Sequence, residues 1–228
     1  MTNTIFDSKK IPISEWIEYL LHLFEFHSIN STAYDNRNSP TTGKYWLIKT
    51  FEVLKGIQND VVLDGTVYLD ETYFTKVRSK LVTKDGKKLR GISRNKIGVG
   101  VACNETKSIF IVTGTSKPSR KSTKETYSQH IARGSVLVHD DEHSHSILIE
   151  ELELESIVYP TAETKELSDK DNPLYPVNNL HLLLKQFIRN HGAYDREHLQ
   201  DWLNLFWFIM NEPKDKYDKV LKFIEMAV

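Results

Sequence analysis

Thr66-Val67-Tyr68-Leu69-Asp70-Glu71 is a β-branched and aromatic run that ends in two acids, and Ser135-Val136-Leu137-Val138-His139-Asp140-Asp141 repeats that form further along the chain. Branched and aromatic side chains suit a pleated, half-buried surface, so the two runs predict strands over Thr66–Asp70 and Ser135–Asp140, each with carboxylates at its C-terminal end. A third stretch, Asn178-Asn179-Leu180-His181-Leu182-Leu183-Leu184-Lys185, reads as a helix. At about 100° per residue, Asn178, His181, Lys185 and Arg189 share one stripe, with Leu180, Leu183, Leu184 and Phe187 opposite. Carboxylates fixed on rigid strands are the hard oxygen donors that a pair of divalent cations needs. Such acids also serve simply to end a strand and cap the next turn, and periodicity alone does not separate Asp140 from Asp141. The block His139-Asp140-Asp141-Glu142-His143-Ser144-His145 is dense in donors but lacks a regular ligand spacing.

Working outward, helical spacing covers Ile13 to Phe26, with Ser14 as the expected cap and Trp16, Leu20, Leu23 and Phe24 on one face. A polar stretch from Ser28 to Ser39 precedes a second helix, capped by Thr41 or Thr42 and running to Lys55. The two resemble a helix-turn-helix remnant within a helical segment 1–60. Beyond the first strand, Phe74 to Arg94 reads as a basic excursion turning at Asp85-Gly86. Strands are expected at Lys96–Cys103 and Ser108–Gly114, a basic loop at Ser116–Ser122 and a helix at Thr123–Ala132. After the second acid-ended strand come a helix at Ser144–Leu154 and a strand at Glu155–Thr161. A polar loop from Ala162 to Asn172 leads to helices at Pro173–His191, Arg196–Asn211 and Lys214–Met226, broken at Gly192 and Pro213. This order predicts an α/β fold: a ribonuclease H-like mixed sheet with flanking helices, C-terminal helices and a short helical N-terminal segment, residues 64–228 forming the catalytic domain.

The 228 residues hold one cysteine, Cys103, which excludes an internal disulfide and any cysteine-built zinc ribbon. No run approaches the roughly 20 apolar residues of a membrane span, and no secretory signal is visible, so the expectation is a cytoplasmic protein without membrane partners. The net charge of −1 hides an asymmetry: Lys76 to Arg133 holds 15 Lys and Arg against Asp85, Glu105 and Glu125. A segment so charged reads either as a solvated loop or as a track for a phosphate backbone; between two candidate metal-binding acids it reads as the latter.

In these motifs the chain resembles bacterial insertion-sequence transposases of family 1595, which carry the ISXO-like transposase domain of the DDE superfamily. The matching residues are Leu69-Asp70-Glu71-Thr72-Tyr73-Phe74, the run Leu89 to Ile97, the block His139 to His145, Asn172-Pro173-Leu174 with Val177 to Lys185, and His198 to Asn204. They span about Thr66 to Asn211. The resemblance implies a DNA transposase binding two Mg²⁺ (or Mn²⁺) ions and acting on insertion-sequence ends and target DNA as a homo-oligomer. Water would cut DNA at the element's ends, and the freed 3′-hydroxyl would attack target DNA. It implies Asp70 and Asp140, rather than Asp141, as metal ligands. His181 would stand where such enzymes carry a third Glu, Asn or His, with Lys185 as the lysine that follows. Arg90, Arg94 and Lys96 are the expected DNA-backbone contacts. The chain departs from the family in lacking an N-terminal cysteine zinc ribbon and in offering an imidazole at position 181, where Mg²⁺ prefers oxygen. These departures point to impaired or Mn²⁺-preferring activity; the alternatives are an inactive DNA-binding remnant or a nuclease on the same fold.

Overall fold

A computed structural model of the chain describes residues 4–6, 11–76, 82–87, 89–191 and 196–228. Residues 77–81 and 88 of the expected basic excursion, and the break at Gly192, lie outside these. The first helices are α1 (Ile13–Phe24), α2 (Ile29–Asp35) and α3 (Pro40–Leu54). Strands β1 (Thr66–Thr75), β2 (Lys96–Cys103) and β3 (Ser108–Thr115) follow, then α4 (Arg120–Tyr127) and β4 (Val136–His139). A 3₁₀ turn at His143–His145 leads into α5 (Ser146–Leu152), β5 (Glu155–Val158) and α6 (Thr161–Thr164). Helices α7 (Tyr175–Asn190), α8 (Leu199–Met210) and α9 (Lys216–Ala227) complete the chain. None of the described helices is long and apolar enough to cross a membrane.

The residues group into two compact units, Gln58–Leu183 and Met1–Ile57 with Leu184–Val228. The packing therefore sets the C-terminal helices with the N-terminal ones, whereas the sequence predicts 64–228 as one domain. The first unit is built on a five-stranded sheet of order β3-β2-β1-β4-β5. β1, β2 and β3 pair antiparallel, while β4 runs parallel to both β1 and β5. The topology is ribonuclease H-like, as expected. Val67, Leu69, Ala102, Ile109, Leu137 and Leu148 bury one face of the sheet together with Tyr127 from α4.

β1 runs further than its apolar residues predict. Glu71, Thr72, Tyr73 and Phe74 stay paired with Gly100, Val99, Gly98 and Ile97, so Asp70 lies in mid-strand rather than at a strand end. β4 stops at His139, opposite Leu69, and its pairing with β1 ends before Asp70. α4 starts earlier than expected because Ser119 and Ser122 form a reciprocal capping box. It ends at Tyr127 instead of Ala132. α5 is shortened by the 3₁₀ turn before it and by Glu153, whose φ of 54° ends it.

In the other unit, α1 begins after Pro12 and makes no side-chain cap, so Ser14 is inside the helix. The stretch expected as polar loop holds α2, capped by Ser28, with Thr32 and Ala33 buried. Ser39 caps α3, not Thr41 or Thr42, and Pro40 takes its first position, where a missing N–H costs nothing. Trp16 and Trp46 stack at 4.6 Å between α1 and α3. α8 is buried along nearly its whole length.

Candidate metal centre

Successive strand residues face opposite sides of a sheet. Leu69 and His139 are partners on parallel neighbours, so the next residues, Asp70 and Asp140, emerge beside one another where the topology switches direction across β1 and β4. That is where open α/β sheets bind ligands. Both side chains are about one-quarter exposed, at 25% for Asp70 and 24% for Asp140. Backbone N–H groups hold each acid: Glu71 donates to Asp70 at 2.7 Å and Glu142 to Asp140 at 3.0 Å. His181, buried on α7, sets its Nδ1 3.7 Å from Asp70 Oδ2. Burial, then the neighbouring charges of Asp140 and Glu71, push the Asp70 carboxyl up to about 7. Burial also raises Asp140. Two acids so crowded are short of positive charge.

On the sheet's other face lies a network that the sequence does not announce. The Glu71 carboxylate, 3% exposed, accepts a 2.8 Å hydrogen bond from Tyr127 Oη and lies 3.3 Å from His145 Nε2. His145 Nδ1 meets His139 Nδ1 at 3.1 Å, and His139 Nε2 meets Ser156 Oγ at 3.0 Å. Burial pushes His145 down, but its bond to Glu71 and the surrounding carboxylates outweigh that and hold it above the usual histidine range. His139 is lowered to about 4 by burial and by the charge of His145. The distances fit a relay in which His145 donates to Glu71 and to His139, and His139 donates to Ser156. His145 Nδ1 is also 3.9 Å from Asp140 Oδ1, so the network sits against one of the two acids.

His139, Asp140 and His145 offer ligand atoms within 4.8 Å of one another. All four ring nitrogens of the two histidines already have partners, which favours a support for Asp140 over a transition-metal site. The network is foreshadowed only by the density of histidines after Val138. Nothing in the sequence pairs Glu71 with Tyr127. Asp141 is exposed, outside the site.

Lys185 is exposed on α7, and Arg90 and Arg94 lie between β1 and β2, Arg90 exposed. Lys96 donates to Thr75 Oγ1 at 2.7 Å. The cationic face is smaller than composition implies. Lys117 pairs with Glu142 at 3.0 Å, Arg120 with Glu150 at 2.6 Å, Lys124 with Glu151 at 2.6 Å, and Arg133 with Glu153. Acids just beyond the basic segment fold back onto it, a pairing that counting charges along the chain misses.

No protein-family model and no curated protein matches the sequence. Solved structures do match. The chain is similar to the Mos1 mariner paired-end complex with Mn at 14% identity and a TM-score of 0.38, over 95% of this chain and 77% of that one. It is similar to the Mos1 transposase catalytic domain with raltegravir and Mg at 16% identity and a TM-score of 0.37, over 79% and 89%. A simian T-cell lymphotropic virus intasome chain, in complex with a PP2A regulatory subunit, aligns at 8% identity and a TM-score of 0.38, over 83% and 67%. The likeness is one of fold.

Proposed function

We propose that this chain is a DDE-type DNA transposase of insertion-sequence family 1595, cutting strands at element ends and joining them to target DNA. The observation that carries this reading is the placement of Asp70 and Asp140 one residue past the last β1–β4 pair, at the switch point, with His181 3.7 Å from Asp70. The donor set fits divalent cations, because two crowded, partly buried carboxylates are held by backbone N–H groups and, among the described residues, no Lys or Arg pairs with either. Asp70 and Asp140 would hold the ions, with His181 completing or orienting the set and favouring Mn²⁺. Such ions supply Lewis-acid stabilisation to the attacking and leaving oxygens of a phosphodiester. The chain itself orients the site: β1 fixes Asp70, the turn to Glu142 fixes Asp140, and the buried His145 ring stands 3.9 Å from Asp140. Lys185, Arg90 and Arg94 are offered to phosphates; Lys96, engaged with Thr75, contributes less. The active form would be a homo-oligomer holding two element ends.

The test incubates the full chain and an end-bearing duplex with Mg²⁺ or Mn²⁺ and follows strand cleavage and joining. Cleavage with joining is expected, stronger with Mn²⁺. Cleavage without joining would make the chain a nuclease, and binding with neither would make it a DNA-binding remnant.

A further inference from the structure

The helical unit holds a second cluster of metal-capable side chains, unrelated to the carboxylate pair. His22 and Glu25 lie three residues apart in the last turn of α1 and its cap, and so on one face. Phe26 then adopts φ 66°, a conformation uncommon for a bulky residue, and turns the chain back so that His27 N donates to His22 O at 3.1 Å. The Phe26 ring, 5.0 Å from Phe187 and 6.0 Å from Phe206, anchors that strained cap. As a result the two imidazoles stack with centroids 5.0 Å apart. One ring nitrogen from each and a Glu25 oxygen lie within 4.8 Å of one another.

The state of these donors points to a ligand. Nδ1 of His22 and Nδ1 of His27 are both shut off from solvent, and neither has a hydrogen-bond partner among the described residues. Buried polar atoms are normally satisfied, and two neighbouring nitrogens without a hydrogen bond ask for a bound partner. Asp35 Oδ2 stands 3.8 Å from His27 Nδ1, too far for a hydrogen bond but near enough to supply a fourth donor. Lys216 holds Glu25 Oε1 at 2.7 Å, leaving Oε2 to coordinate.

We propose that His22, Glu25 and His27 form a transition-metal site that takes Zn²⁺, with Asp35 or water as the fourth ligand. Two imidazole nitrogens and a carboxylate are a zinc donor set, and Mg²⁺ or Ca²⁺ would not choose them. His27 directly precedes Ser28, the cap of α2, so the ion clamps the junction between α1 and α2.

The test titrates Zn²⁺ into the metal-stripped full chain by calorimetry and records the visible spectrum of the Co²⁺ form. It compares wild type, His22→Gln, His27→Ala, Glu25→Gln and the double variant Asp70→Asn/Asp140→Asn. The double variant, which lacks the carboxylate pair, should bind one Zn²⁺ as tightly as the tightest site of wild type, raising the melting temperature and giving an intense tetrahedral Co²⁺ spectrum. Loss of any one ligand should weaken binding roughly 100-fold, about the share that one of four donors carries. Because the His27 and Glu25 side chains are partly solvent-facing, these two variants should fold, as circular dichroism will check. No Zn²⁺ binding, binding unchanged in the His27 and Glu25 variants, or binding lost only in the Asp70/Asp140 variant would each overturn the proposal. None of these outcomes depends on whether the chain cuts DNA.

Discussion

Gly100→Ala probes the support beneath the carboxylate pair without touching a charged group. Gly100 faces Glu71 across β1 and β2, and the Tyr127 hydroxyl passes over it to reach Glu71. A Cβ there would lie 2.0 Å from Tyr127 Oη, 2.6 Å from its Cζ and 3.0 Å from Thr113 Cγ2. Tyr127 is fully buried, so the ring cannot simply swing into solvent. Overpacking of this kind costs about 1–3 kcal/mol. Losing the hydrogen bond to buried Glu71 adds about 1–3 kcal/mol. Together they amount to roughly 2–6 kcal/mol, which in a chain of this size lowers the melting temperature by on the order of 10 °C. Calorimetric melting of Gly100→Ala, Tyr127→Leu and the double variant measures the coupling. The double variant should melt close to Tyr127→Leu alone, because the clash then has no partner. Metal-dependent strand cleavage by Gly100→Ala should also fall at temperatures where the protein remains folded, as Glu71 and His145 lose their registration under Asp140. A Gly100→Ala protein that melts like wild type, or losses that simply add in the double variant, would refute the reasoning.

Asp70→Asn and Asp140→Asn should each lower cleavage at least about 100-fold, since each removes a share of several kcal/mol of charge stabilisation. Asp141→Asn, at an exposed position, should be near neutral, and an equal loss there in a kinetic assay would displace Asp140 from the site. Arg90→Ala with Arg94→Ala should flatten the slope of log affinity against log salt by about 0.9 per lost phosphate contact, measured by fluorescence anisotropy. Charge-neutralising Lys117, Arg120, Lys124 and Arg133 should leave that slope nearly intact, because acids already pair them; a comparable flattening would reinstate the whole basic segment as a DNA track. His191, held at about 4 by burial, binds fewer protons folded than unfolded between that value and about 6.5. Stability is therefore full above that window and falls as pH drops through it, by about 2 kcal/mol at pH 5. His191→Phe should remove most of that loss in urea titrations at pH 7 and pH 5, and an unchanged acid limb would clear His191.

The sheet is legible because its strands declare themselves by local composition, and β2 begins and ends where its residues predict. Errors cluster where tertiary contacts override local preference. β1 continues through two acids and a threonine only because β2 offers a partner for every residue up to Thr75. α2 is too short and polar to announce itself. It forms where a helix–helix approach needs glycine: a Cβ added at Gly43 of α3 would lie 3.2 Å from Ala33 Cβ. Asp70, Asp140 and His181 are legible as motif residues. Glu71, Tyr127 and His145 are not, because their meeting depends on which residue of α4 crosses which residue of β2, a fact of register rather than of spacing.

Register also explains why each motif carries two polar residues side by side. Asp70 and Glu71 are adjacent in sequence but project to opposite faces of β1, and so do His139 and Asp140 at the end of β4. Asp70 and Asp140 share the face on which His181 stands, while Glu71 and His139 share the face covered by α4 and α5. Asp70 and Asp140 are thus anchored through the strand by residues one peptide away. A single strand can position a charge on one side only if something on the other side resists its rotation. Here that resistance is the buried His145 ring, which meets Glu71 and His139, the neighbours of both acids at once. The doubled polar residues therefore form a candidate site on one face and a buried network on the other, not two candidates for one role.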